Sequence, residues 1–187
     1  MEFQGENETI MEAMKQMMLL LILGILLVYL VMVAQFQSLR SPFIVMFTVP
    51  LAFTGGMIAL IITGFDVSVV SLIGFVMLVG IIVNNGIVLV DCINRFRLED
   101  DMSRHDAIVE AGVVRMRPVL MTALTTVLGL MPMALGFGEG AEMVQPVAIV
   151  CIGGLLYATL MTLFVVPIMY SYLSKKEIRK IKELLII

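Results

Sequence analysis

Two adjacent asparagines, Asn84 and Asn85, stand near the middle of an apolar run from about residue 71 to 93. An unpartnered amide moved out of water costs on the order of 2–7 kcal/mol, so two in a row imply partners or water waiting inside a helix bundle. Gly80 and Gly86 flank the pair, and glycine in a membrane helix lets a neighbouring backbone come close. On a helical wheel Asn84 shares a face with Gly80, Val88 and Asp91, whereas Asn85 shares one with Leu78 and Ile81. The amides point about 100° apart, which predicts a division of labour. One would bond a neighbouring helix and the other would line a wet pathway.

Further along, Thr122 and Thr126 lie one turn apart on a single helical face, and Arg115 sits two turns before Thr122 on the same side. Threonines in a membrane helix also bond back to their own carbonyls, and Arg115 with Arg117 also suits a basic membrane anchor. Asp91 suits an interfacial carboxylate paired with Arg95 at i+4. No crossing carries an ionised residue at mid-depth; this chain supplies amides and hydroxyls instead. Hydrolase, phosphate-binding and nicotinamide-binding patterns are absent, with no GxSxG, GxxxxGK[ST] or GxGxxG after a strand, so no enzyme activity or cofactor is assigned. The 17 methionines would suit a soft metal, but no His or Cys cluster accompanies them and no metal site is assigned. Cys92 and Cys151 read as free buried thiols, and His105 as a solvated surface residue.

The elements that must position these groups follow from composition. A chain of 187 residues with 60% hydrophobic and 14% charged residues and a mean hydropathy of +1.07 is far from a soluble domain, where charge runs nearer ~25%. It reads as an all-α membrane protein with five transmembrane helices, and nothing in it supports nucleic-acid binding. Crossings are predicted at about 14–36, 42–63, 69–93, 118–137 and 146–173, each long enough for the roughly 20 residues a bilayer demands. Residues 1–13 form a polar, acidic segment that reads as the end of another domain, and residues 174–187 a basic cytoplasmic tail. Between the third and fourth crossings, residues 94–117 are charged. There Ser103 and Asp106 cap a short amphipathic helix along the membrane surface. Ser41 before Pro42 suits the start of the second crossing, and Pro50 with Gly55 and Gly56 predicts a kink within it.

Basic residues set the orientation, because cytoplasmic loops carry the excess of Lys and Arg. Eleven of the twelve, all but Lys15, lie after the first, third and fifth crossings. The amino end is therefore expected outside and the carboxyl end in the cytoplasm of a multi-pass cell-membrane protein.

Three stretches then carry a resemblance: AQFQSLRSPFIVMFTVPLAFTG, GIIVNNGIVLVDCINRFR and RMRPVLMTALTTVLGLMPMAL. In order and spacing the sequence resembles the carboxyl-terminal part of a resistance-nodulation-division (RND) efflux transporter, of the multidrug hydrophobe/amphiphile branch. The resemblance implies a partial half of a twelve-helix bundle, crossings eight to twelve. It also implies a proton-driven antiporter whose proton-binding aspartates lie on the fourth crossing, in the half not present here. Asn84 stands where proton-coupled members commonly have a lysine, and Asn85 where they have an asparagine. Thr122 matches the relay threonine, and Arg115 a basic residue tied to proton release. Together with Asp91 these are the candidate polar core. Implied partners are the amino-terminal half of the same permease, two further copies in a homotrimer, the lipid bilayer, and a periplasmic adaptor with an outer-membrane channel. An isolated chain is expected to export nothing. The competing reading is a non-transporting helical membrane component or the remnant of a truncated gene.

Overall fold

The computed structural model describes residues 2–36, 39–98, 102–138 and 140–173. Every regular element among them is a helix: α1 (Glu2–Phe36), α2 (Arg40–Met46), α3 (Thr48–Thr63), α4 (Val69–Leu98), α5 (Arg104–Ala134) and α6 (Ala141–Leu173). Among the described residues, five stretches are long and apolar enough to cross a membrane, namely Glu8–Phe36, Ser41–Thr63, Val69–Arg97, His105–Ala134 and Ala141–Tyr172. The chain is a multi-pass membrane protein of the all-α class.

Helix boundaries differ from the sequence expectation where proline and capping act at a distance. The second crossing breaks at Phe47, between α2 and α3, and not at Pro50 itself. Proline lacks the N–H for the carbonyl four residues earlier and its ring crowds that carbonyl, which here belongs to Met46. The break therefore falls one turn upstream. Ser41 lies within α2, whose N-cap is Leu39. Instead of a separate surface helix followed by a crossing that opens at Pro118, α5 runs unbroken from Arg104 to Ala134 with Pro118 inside it. Its start is as expected: the Ser103 hydroxyl accepts the Asp106 N–H at 3.3 Å and donates to Asp106 Oδ2 at 2.6 Å. The amino-terminal polar segment is also helical, continuous with α1 from Glu2. The basic tail at 174–187 lies outside the described residues.

α6 is the central helix and packs directly against α3, α4 and α5. Half of the apolar window of α4 and of α6 is buried (50% each), against 11% for α1 and 17% for the crossing in α5, so α1 and α5 are peripheral. Membrane helices gain no hydrophobic free energy by leaving lipid for each other, so close contact depends on small residues. The α3–α6 seam supplies them. A Cβ added at Gly153 would stand 2.2 Å from the Cβ of Ala59, and one at Gly55 would stand 2.6 Å from the Cβ of Tyr157. At Gly154 the nearest atom would be Leu78 Cδ2, at 2.1 Å. Phe53 of α3 stacks on Phe75 of α4 at 4.8 Å between centroids, 3° from parallel, and Gly56 leaves the space for that ring. At the α5–α6 connection, the Gln145 side chain donates to the carbonyl of Ala134 at 2.6 Å, satisfying one of the acceptors that every helix end leaves open. Cys92 and Cys151 are both free and buried.

Candidate functional site: an amide and hydroxyl groove between α4 and α5

Spacing along α4 places Met77, Gly80, Ile81, Asn84 and Asn85 on one ridge, three or four residues apart. On α5 the buried Ala123 and Val127 seat the helix against the bundle and turn their neighbours Thr122 and Thr126 toward that ridge. The two ridges form an open groove of about 570 Å³ lined by Met77, Gly80, Ile81, Asn84, Asn85, Thr122, Ala123 and Thr126. Asn84 and Thr122 are exposed there; Asn85 and Thr126 are half-buried.

The expected division of labour between the amides is not found. Both line the same groove, and neither has a hydrogen-bond partner among the described residues. Side chains 100° apart can straddle a wide, open wall, and this one is open. Gly86 does admit a close neighbour, with Val45 Cγ1 2.8 Å from where its Cβ would be. Gly80 faces space with nothing within 4 Å, so it widens the groove.

The three threonine hydroxyls of α5 all bond back to their own helix. Thr122 donates to the Val119 carbonyl at 3.0 Å, Thr125 to Met121 at 2.8 Å and Thr126 to Thr122 at 2.8 Å. A hydroxyl has one proton and two lone pairs, so Thr122 presents an acceptor to the groove while its proton is engaged. The amides present both N–H donors and carbonyl acceptors. Taken together the wall can donate to a carboxylate or accept from a carboxylic acid, and it carries no formal charge.

Two candidate residues stand apart from this wall. Arg115 is half-buried two turns before Thr122 on α5, and its Nε is buried with no hydrogen-bond partner among the described residues. Asp91 is exposed toward the carboxyl-terminal end of α4; the expected pairing with Arg95 is not among the ion pairs of the described residues. Neither lines the groove. Sequence reasoning also passed over a polar cluster where α4 and α6 finish, made by Asn94 and Arg97 of α4 with Tyr170 of α6. The available signal was an i, i+3 polar pair on the last turns of α4.

Residues 1–174 match the sequence model of the AcrB/AcrD/AcrF family. The chain belongs to this family of RND transporters. It is similar to the swarming motility protein SwrC of Bacillus subtilis (strain 168), 37% identical over 177 residues, which covers 94% of this chain and 17% of SwrC. Multidrug resistance protein MdtC of Serratia proteamaculans (strain 568) is 34% identical over 95% of this chain and 17% of MdtC. Among solved structures, the crystal structure of a heavy metal efflux pump matches with a TM-score of 0.80 and 34% identity, covering 90% of this chain and 16% of the pump. The chain thus spans about 17% of the length of these two curated relatives. For a member of the AcrB/AcrD/AcrF family, the groove is a polar wall on the outside of five helices, with most of the relatives' length unaccounted for by this chain.

Proposed function

We propose that this chain is the carboxyl-terminal transmembrane part of a proton-driven RND permease of the hydrophobe/amphiphile branch, exporting hydrophobic or amphiphilic compounds. One observation carries the reading: Asn84, Asn85 and Thr122, drawn from two helices, line a single groove that opens away from the bundle. Amides without partners at membrane depth are costly, so another segment must meet them. Carboxylic acids on the other half of the permease fit, because the wall offers N–H donors to the ionised form and oxygen acceptors to the protonated form. Lacking a cation, it stabilises the ionised acid less than a lysine ammonium would, and so favours uptake of the proton. Thr122, with its own proton engaged, accepts from the protonated acid. Arg115 and Asp91, off the groove and toward the inner end, belong to the exit side of the proton path. The amino end lies outside the cell membrane and the carboxyl end in the cytoplasm, as the basic residues place them. A homotrimer, a periplasmic adaptor and an outer-membrane channel belong to the same reading of the complete permease, and the chain alone exports nothing.

The test is dye export by cells carrying the complete permease. Asn85→Leu abolishes export on this reading, whereas unchanged export in that variant removes the role given to the amide pair. Co-expression of this chain with the other half restores export that neither supports alone. Failure of the combination, with both parts present in the membrane, would favour a non-transporting component. Export of a soft metal cation in place of dyes would move the substrate class toward that named for the heavy metal efflux pump.

A further inference from the structure

The carboxyl-terminal end of α4 is tied to α6 by a contact that the groove does not use. Tyr170 is 1% exposed, and a buried phenol needs a hydrogen-bond partner. Its Oη donates to Asn94 Oδ1 at 2.6 Å and accepts from Arg97 Nη1 at 3.3 Å. The Arg97 guanidinium carbon also lies 5.8 Å from the centre of the Tyr170 ring. Asn94 and Arg97 are neighbours one turn apart, so a single tyrosine grips the same strip of α4 twice. Pro167, three residues before Tyr170 and inside α6, cannot supply the N–H for the Leu163 carbonyl. The last turns of α6 therefore lean on contacts outside their own helix.

We propose that Tyr170 is a positioning residue for the groove: by holding Asn94 and Arg97 it fixes the rotation of α4 about its own axis, and with it the aim of Asn84 and Asn85. The positional claim stands on geometry, while its consequence for transport rests on the function proposed above. Nine residues separate Asn85 from Asn94, which at 100° each puts them on opposite sides of α4, about 13.5 Å apart along the axis. On the groove side Gly80 faces open space and Asn84 is exposed, so resistance to rotation there is limited to Ile81, half-buried against the cluster that holds Ala123 and Val127 of α5. The firmer hold is on the remaining faces of α4, where Phe75, Leu78 and Gly86 pack against neighbouring helices and, toward the end of the helix, Tyr170 grips Asn94 and Arg97. A turn of about 20° at a side-chain radius of about 6 Å would carry an amide about 2 Å, more than a hydrogen bond tolerates.

The experiment uses the complete permease with Cys92→Ala and Cys151→Ala, and single cysteines in turn at positions 80, 81, 84, 85 and 88. Rates of labelling by a membrane-permeant thiol reagent report which side of α4 is accessible, whether or not transport occurs. Tyr170→Phe keeps the ring and removes only the hydroxyl; it changes the ratio of rates at positions 84 and 85 by about threefold or more, as expected for loss of the hydrogen bonds to Asn94 and from Arg97. Asn94→Leu, which removes one of the two bonds, changes the ratio in the same direction, and the double variant adds nothing beyond Tyr170→Phe. An unchanged ratio in both single variants overturns the proposal, even if their melting temperature falls, because that result means packing without positioning. A changed ratio with undiminished export upholds the positioning role and refutes the function proposed for the amides.

Discussion

Gly153→Ala tests the α3–α6 seam. The new methyl would stand 2.2 Å from the Cβ of Ala59 and 3.2 Å from the carbonyl oxygen of Gly55. Carbon atoms pack at about 3.5–4.0 Å, so the helices must part locally by more than about 1 Å. Neither atom is the end of a flexible side chain that could swing aside. Overpacking of this kind costs about 1–3 kcal/mol, while alanine returns up to about 1 kcal/mol of helix propensity. An approach of 2.2 Å puts the cost at the upper end of that range, so the net loss is about 2 kcal/mol, or about 4–8 °C in Tm for a chain of this size. Cys151, two residues away on α6 and buried against the Gly74 carbonyl of α4, is a built-in reporter, because a thiol-reactive fluorophore reaches it only as the bundle around α6 opens. Adding Ala59→Gly removes the obstructing methyl and recovers at least half of the loss. Gly24→Ala is the control, since nothing lies within 4 Å of its Cβ position and the change is neutral or stabilising. If Gly153→Ala melts at or above the parent, as Gly24→Ala should, then glycine at the seam is not there for close approach and the reasoning fails.

Thr122→Val in the complete permease lowers dye export while Thr125→Val leaves it within twofold, because both hydroxyls bond back to α5 but only Thr122 lines the amide groove. Equal effects in the two variants would place the threonine contribution in the helix and not in the groove. Ser103→Ala removes the cap at the start of α5 at a cost of about 1 kcal/mol, seen as faster hydrogen exchange at residues 104–107 with export unchanged. Gln145→Leu leaves the Ala134 carbonyl without its 2.6 Å donor, and the α5–α6 connection exchanges faster, with a loss of about 1 kcal/mol.

The sequence alone determined how many times the chain crosses the membrane, because the length of an apolar run is a property of neighbours in the chain and a bilayer reads it directly. It also determined that amides and hydroxyls, not charges, occupy the depth of the membrane. Local chemistry was legible where donor and acceptor are close in sequence, as at Ser103 and Asp106. Pro50 was legible as a disturbance but not in its place, because proline acts on the carbonyl one turn away and the break appears at Phe47. Only the tertiary structure decided that Thr122 shares a wall with Asn84 and Asn85, since that depends on α4 and α5 packing side by side. It alone set Arg115 and Asp91 apart from that wall, although one shares a helical face with Thr122 and the other with Asn84. The contact between Tyr170 and Asn94 joins residues 76 apart in the chain. No periodicity along one helix specifies which face of another will meet it; small residues such as Gly55 and Gly153 permit the approach, and packing across the whole bundle selects it.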